Sequence, residues 1–480
     1  MIALTAAEVA LVTGGALHAI DPSTVVAGPV VTDSREVIPG ALFVAIAGEH
    51  SDGHAFAARA VAAGACAVLA AHEVVAEDGT PVPAVVVPDV VAALGALARE
   101  VLCRLREAAA EPGGSGLRVV AVTGSVGKTT TKDLLLQVLG AAGPTVAPVR
   151  SFNNEIGLPL TVLRADEDTR YLVLEMGASG IGHIAYLTDI APPDVAIVLV
   201  VGRAHVGEFG GIEATARAKS ELVTGLVPDG VAVLNADDAR VAAMADLAPD
   251  DVVTFGLSPA AQVRATDVRL TDGGHPQLTL VDARGAQPRS VPVRLRLVGE
   301  HHVHNALAAA AAALVVGLDL EAVADGLAGA DALSPHRMHV ADRPDGVTVV
   351  DDSYNANPDS MRAALKALAA LAGRDRRSVA VLGEMLELGP EARSAHDAVG
   401  RLAVRLDIGL TVVVGAGARA IADGAAHEGS WGDEVVLVDD VDAAAALLDS
   451  ELRPGDVVLV KSSYGAGLWR LGDRLLGVGA

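Results

Sequence analysis

The segment 118–131 reads Arg-Val-Val-Ala-Val-Thr-Gly-Ser-Val-Gly-Lys-Thr-Thr-Thr, an apolar run followed by two glycines, a lysine and three threonines. Residues Gly124, Ser125, Val126 and Gly127 can bend so that successive backbone N–H groups converge on anionic oxygens, backed by the positive end of a following helix. Lys128 adds a compact cation. Thr129 or Thr130 can offer a hydroxyl to a magnesium ion that keeps waters and phosphate oxygens as its other ligands. The full phosphate-loop pattern has a glycine five residues before Gly127, where this chain has Val122, so the loop is the short form Gly-x-x-Gly-Lys-Thr. The plain alternative is an ordinary strand-to-helix turn. An apolar strand before the loop and an amphipathic helix after it favour phosphate binding.

Three more residues are expected at the same edge of a sheet. Glu175 ends an apolar run and precedes Gly177, which suits a magnesium ligand; a capping or salt-bridged glutamate is the plainer reading, and the neighbouring loop favours the metal. His205 follows the run that ends at Val201, although lone histidines are commonly surface residues. Lys219 stands on a helix after that segment, where a surface position is the plain alternative. Only five of the 36 basic residues are lysines, at 128, 132, 219, 366 and 461. A lysine in such a chain marks a place that needs a compact or titratable amine, which arginine cannot supply. Lys132 and Lys366 read as residual lysines on solvated helices.

The elements that position these residues alternate between strand and helix. Residues 107–116, Glu-Ala-Ala-Ala-Glu-Pro-Gly-Gly-Ser-Gly, form a glycine-rich linker, and a second break falls near Ser334-Pro335. An α/β chain of three domains is expected: a small N-terminal domain (1–112), a central phosphate-loop ATPase domain with a mostly parallel sheet (113–334), and a Rossmann-like C-terminal domain (335–480). In the central domain, 262–298 reads as an antiparallel insertion turning at Asp272-Gly273-Gly274, before a helix opened by His304 and Asn305. Gly415-Ala416-Gly417, followed by Glu434, imitates a dinucleotide fingerprint but sits on a late strand, where a glycine turn is ordinary punctuation. Ser34 and Arg35, at a strand end, could hold a phosphate or a base; composition alone favours a capped turn with a surface arginine.

Composition narrows the chemistry. A net charge of −24 over 480 residues, with no basic run, repels nucleic-acid backbones and anionic membranes and leaves small-molecule chemistry as the expectation. Cys66 and Cys103 lie in alanine-rich contexts that read as helical, so neither a disulfide nor a zinc site is expected. The N-terminus has no basic leader and the chain has no long uncharged apolar stretch, so a cytoplasmic location without membrane insertion is expected.

Taken together, the short phosphate loop, Leu174-Glu175-Met176-Gly177, His205 and Ala218-Lys219 resemble the Mur ligases, the ATP-dependent amino-acid-adding enzymes of peptidoglycan synthesis. Within that family, Asp351-Asp352-Ser353-Tyr354-Asn355-Ala356-Asn357-Pro358, the segment 383–389 (Gly-Glu-Met-Leu-Glu-Leu-Gly), Thr32-Asp33-Ser34-Arg35 and the segment 151–159 (Ser-Phe-Asn-Asn-Glu-Ile-Gly-Leu-Pro) look like the member that joins D-alanyl-D-alanine to UDP-N-acetylmuramoyl-tripeptide. An Asp-Tyr-Ala-His motif, which would point to other ligases of the superfamily, is replaced by Asp-Ser-Tyr-Asn-Ala-Asn.

The resemblance implies an acyl-phosphate mechanism, with the UDP end of the substrate in the N-terminal domain near Ser34 and Arg35. ATP is implied in the central domain, and the dipeptide on the C-terminal domain, which closes over ATP. Asn305, Arg337 and Asp352 match positions that contact ATP; Asn153 and Asn154 match a substrate-facing loop; Tyr354, Asn355 and Asn357 match the dipeptide side. Two magnesium ions are implied, one on Thr129 and Glu175 and one near His205. Lys219 matches a lysine that can form a carbamate and so become a metal-binding anion. A monomer is expected. The resemblance breaks at two points: Gly299-Glu300-His301-His302 stands where relatives have Gly-Arg-His-Asn, and Lys461-Ser462-Ser463-Tyr464 where they have Lys-Gly-Ser-Arg.

Overall fold

The computed structural model describes residues 1–48, 51–149, 151–202, 211–429, 432 and 434–478. Short, mostly apolar runs form the first sheet. Its order is Ala16–His18, Ala84–Val86, Ala67–Ala70, Leu42–Val44 and Val30–Val31, parallel except for the first strand. Cys66 occupies the bend before Ala67–Ala70 and not a helix, because the preceding helix Ala57–Ala62 ends at the Gly64 turn; both cysteines are free thiols.

The helix Val90–Ala110 starts on an Asp89 cap, whose carboxylate accepts the Val91 and Ala92 N–H groups. Its 21 residues span about 30 Å. Leu94, Leu97, Val101 and Leu105 make an apolar stripe that belongs to one continuous core reaching from Leu4 to Met244, and a Cβ on Gly95 would touch Ile190 and Tyr186. The glycine-rich linker after this helix therefore interrupts the chain without separating two cores. Arg106 reinforces the junction with hydrogen bonds to Pro192 O (2.6 Å) and Asp194 Oδ2 (3.0 Å).

The central sheet has nine strands. Seven run parallel in the order Val263–Leu270, Val252–Gly256, Val231–Asn235, Val195–Val198, Arg118–Thr123, Tyr171–Glu175 and Thr145–Val146. The antiparallel strands Pro276–Asp282 and Arg289–Arg294 extend this same sheet, so 262–298 is its edge and not a separate layer. The Arg118–Thr123 strand is third from one edge, with Tyr171–Glu175 and Thr145–Val146 on one side and Val195–Val198 on the other. That reversal is a topological switch point, where ligands gather at the strands' carboxyl ends. The helix beside it, His302–Val315, begins two residues earlier than His304 and three after Gly299, whose φ is 113°. Twelve of its fourteen residues are buried, and its alanine run allows a close approach to the sheet.

The third sheet runs His339–Asp342, Thr348–Asp351, Val457–Lys461, Ser378–Leu382, Leu410–Val414 and Val435–Val438, parallel but for the first strand. The Glu384 carboxylate fills the space beside Gly417, so the glycine turn after Leu410–Val414 is occupied by this domain's own side chain. Helices Ala392–Arg405 and Arg419–Glu428 touch at Gly400, where an added Cβ would overlap Ile421 O. Gly400→Ala should destabilise the protein by about 3 kcal/mol, the cost of forcing an extra carbon into a close-packed contact; urea unfolding measures it. Among the described residues no helix is long and apolar enough to cross a membrane.

Candidate active site

The phosphate-loop strand is clamped to its neighbour where the Thr123 hydroxyl donates to Met176 O at 2.8 Å. Beyond it, Ser125 N–H donates to Val200 O, and Ser125 Oγ accepts from Gly202 N–H, both at 2.9 Å. Gly127 has φ 87°, and a Cβ there would run into Asn305 Oδ1, so glycine is required by both conformation and space. The helix Lys128–Gly140 then opens with no side-chain cap on its first N–H groups. Lys128 Nζ donates to Gly124 O at 2.8 Å, and burial lowers its pKa against the opposing pull of Glu175.

Glu175 is fully buried at the end of its strand. Its Oε2 accepts from the Thr129 hydroxyl (3.0 Å) and its Oε1 from the Asn153 amide (2.8 Å). Thr129 Oγ1 also lies 2.9 Å from Ser151 Oγ, which accepts from Arg337 Nη2 at 3.2 Å. A buried carboxylate beside hydroxyl oxygens, next to a phosphate cradle, is a hard oxygen donor set and fits magnesium. Lys219, on the helix Ile212–Thr224, is buried and has no hydrogen-bond or ion-pair partner among the described residues. Burial, with the nearby Lys128 charge adding to it, brings its pKa down to about 7. The surface alternative for Lys219 is thereby removed. His205 lies outside the described residues.

From the C-terminal domain, the Arg337 guanidinium lies 4.2 Å over the Tyr354 ring. Asp352 Oδ1 accepts from Met338 N–H (3.1 Å), and its Oδ2 pairs with Lys461 Nζ at 2.5 Å. Lys461 is almost fully buried and also donates to Asn355 O at 2.8 Å. Its scarcity as a lysine and the family motif that it opens are the signals in the sequence for that position. Asn357 caps the helix Pro358–Ala372 through Ser360 N–H, and Asn154 Oδ1 accepts Gly157 N–H at 2.9 Å, so both amides hold backbone as well as facing the site.

The two departures have local explanations. His302 Nδ1 lies 3.3 Å from the Asn305 amide nitrogen; burial takes the pKa of His301 down to about 4 and that of His302 well down, so both rings are neutral. Tyr464 packs 5.6 Å from Tyr354 and stacks on Trp469 at 5.5 Å, an aromatic group where an arginine is usual.

Apart from Ser34, Arg35 and His205, every site residue singled out from the sequence lines one cavity of about 890 Å³ between the central and C-terminal domains. That volume suits a nucleotide-sized ligand. Ser34 and Arg35 are elsewhere, on the N-terminal domain: Arg35 Nη2 pairs with Asp33 Oδ2 at 2.6 Å, and Ser34 Oγ accepts from Arg59. Lys132 is a correction. It is not solvated but fully buried, because the chain folds three polar groups over it, as described below. Lys366 is exposed.

Family models match along the chain: "Mur ligase family, catalytic domain" over 29–101, "Mur ligase middle domain" over 122–313 and "Mur ligase, glutamate ligase domain" over 336–464. A Mycobacterium tuberculosis protein named UDP-N-acetylmuramoyl-tripeptide--D-alanyl-D-alanine ligase is 49% identical, covering 99% of this chain and 98% of its own. The Escherichia coli protein of that name is 35% identical over 91% of this chain and 92% of its own. Among solved structures, MurF from Acinetobacter baumannii superposes with a TM-score of 0.84 at 32% identity, covering 99% of each chain. MurF ligase from Thermotoga maritima in complex with ADP gives 0.76 at 29% identity, covering 94% of this chain and 96% of that one.

Proposed function

The chain belongs to the Mur ligase family, and from that premise we propose that it joins D-alanyl-D-alanine to UDP-N-acetylmuramoyl-tripeptide at the expense of ATP. The product is the pentapeptide precursor of peptidoglycan, which ties the enzyme to wall growth, cell shape and division. The observation that carries the reading is the convergence of Lys128, Thr129 and Glu175 with Arg337, which crosses from the C-terminal domain to Ser151. ATP and a UDP-linked peptide are cytoplasmic compounds, so the reading puts the enzyme in the cytoplasm, where it acts as a monomer.

In this mechanism the terminal carboxylate of the tripeptide attacks the γ-phosphorus of ATP, forming an acyl phosphate and releasing ADP. The dipeptide amine then adds to the acyl carbon, and the tetrahedral intermediate expels phosphate. Phosphoryl transfer depends on positioning and charge neutralisation, which Lys128, the amides of Gly124 to Thr130 and Arg337 supply. Thr129 and Glu175 would hold one magnesium ion, and Lys219 as a carbamate with His205 would hold a second; bound there, the metal screens charge on the transferring phosphoryl oxygens. Asn305 and Asp352 serve the nucleotide, Asn153 and Asn154 the tripeptide, and Tyr354, Asn355 and Asn357 the dipeptide. Ser34 and Arg35, just after the strand Val30–Val31, take the UDP end. In domain terms, 1–112 carries the UDP moiety, 113–334 ATP, and 335–480 the dipeptide.

Phosphate release from ATP with UDP-N-acetylmuramoyl-tripeptide should rise at least about tenfold when D-alanyl-D-alanine is added, with pentapeptide formed in equal amount. Release indifferent to the dipeptide, with no pentapeptide, would sink the proposal and favour a phosphate-loop NTPase without ligase activity.

A further inference from the structure

We propose that Lys132 is a positioning residue that ties the interdomain linker to the phosphate-loop helix and thereby sets where Arg337 meets Ser151 beside Thr129. The inference rests on the reading of Arg337 as a nucleotide-side group.

Lys132 is 1% exposed on the helix that starts at the loop. Its ammonium lies 2.5 Å from Asp133 Oδ1 and donates to Pro148 O (3.0 Å) and Ser334 Oγ (3.3 Å). Asp133 Oδ2 accepts Ser334 N–H at 3.0 Å. One turn further, Gln137 exchanges two hydrogen bonds with the backbone of Asp331, at 2.9 and 3.0 Å. One face of this helix therefore grips the linker at two successive points.

Lys132 binds both segments that reach the metal-side hydroxyl. Three residues beyond Pro148 is Ser151, and three beyond Ser334 is Arg337; these two meet at 3.2 Å, with Ser151 Oγ 2.9 Å from Thr129 Oγ1. Thr129 and Lys132 are themselves three apart on one helix, so the contacts form a closed ring. On its other side the linker is held by the C-terminal domain, through His336 Nδ1 to Asp351 Oδ2 (2.6 Å) and Met338 N–H to Asp352. Arg337 is flanked by two left-handed non-glycine residues, His336 (φ 59°) and Met338 (φ 51°). Such backbone persists where surrounding contacts over-determine it. A buried ion pair is commonly no more stabilising than an apolar pair of equal size. Here, among the described residues, every partner of the ammonium outside its own helix lies on the two segments that converge on Thr129, which a purely structural pair does not require.

The test is a double-mutant cycle on the full chain, reading affinity for a non-hydrolysable ATP analogue with magnesium by calorimetry. Ser334→Ala keeps the ion pair and removes one hydroxyl; Lys132→Met removes the ammonium. Each is measured with Arg337 intact and in an Arg337→Ala background. Ser334→Ala should weaken binding about 3-fold and Lys132→Met about 10-fold or more, and both effects should disappear once Arg337 is gone. Equal effects in both backgrounds, or none with Arg337 intact, would overturn the proposal. So would analogue binding by Arg337→Ala as tight as the wild type. If Lys132→Met fails to fold in a thermal melt, Ser334→Ala decides alone. The readout does not depend on ligation, so a wild type that binds nucleotide without forming pentapeptide overturns the functional reading and leaves this inference to the cycle.

Discussion

Lys219→Ala should lose about 10³-fold in kcat and recover part of it when small carboxylates are supplied, because on the proposed reading the side chain acts as a carbamate anion and not as a cation. Among the described residues the buried amine has no partner, and burial brings its pKa down to about 7, so near neutral pH the free base that carbon dioxide requires is well populated. In the metal-free protein, carbon-13 labelled carbon dioxide should give a carbamate signal that grows as pH rises from 6 to 8 and is missing from Lys219→Ala. Wild-type activity in that variant, or no carbamate signal in the wild type, would refute the assignment.

Stability provides an independent check on the same group. The folded-state pKa lies below the unfolded value of 10.5, so between about pH 7 and 10.5 the unfolded chain binds more protons than the native one. The penalty for burying the ammonium is full below pH 7 and fades as pH rises through that window. Lys219→Met should accordingly unfold at a higher urea concentration than the wild type at pH 6.5, with the gap narrowing toward pH 10. Lost turnover in a variant that is more stable cannot be ascribed to unfolding.

Glu175→Gln carries the other large effect. The buried carboxylate accepts from Thr129 at one oxygen and from Asn153 at the other. An amide has the same shape but loses the negative charge and one acceptor, so the magnesium position weakens while the strand end keeps its packing. kcat/KM for ATP should fall by about 10²–10³-fold, equivalent to roughly 3–4 kcal/mol of transition-state stabilisation. Raising magnesium well above its usual concentration should restore part of the loss. A variant with unchanged magnesium dependence would remove Glu175 from the metal position.

Much of the architecture was legible because it is written in local order. The apolar runs at 118–123, 171–175 and 195–198, each reaching a glycine within four residues of its end, announce buried parallel strands with their functional residues at the carboxyl ends. Helix ends were less legible. His302–Val315 starts earlier than its histidines suggest, and Cys66 lies in a bend, since alanine-rich composition does not mark where a turn intervenes. The glycine-rich stretch 107–116 reads as a divider, yet the apolar stripe of Val90–Ala110 joins its two sides into one core. Composition reports a flexible segment; it does not report what the preceding helix packs against.

Lysine scarcity worked unevenly as a guide. It marks Lys128 and Lys219, which line the site, but it does not tell Lys132 and Lys461, which are buried in ion pairs, from Lys366, which is exposed. Their burial depends on partners up to about 200 residues away: Ser334 for Lys132, Asp352 and Asn355 for Lys461. No periodicity in the flanking residues encodes those meetings.

By itself the sequence determined the phosphate loop, the strand-end placement of Glu175 and the choice of lysine over arginine at 219, because backbone bending, side-chain alternation and amine chemistry are properties of a residue and its near neighbours. The tertiary structure alone decided that Lys219 is buried near the Lys128 charge and that Asn154 and Asn357 spend their amides on helix ends. It also decided that Arg337 reaches Ser151 from a linker pinned to the phosphate-loop helix. Desolvation and ion pairing are set by which segments meet in space, and that is fixed only when the sheets have packed.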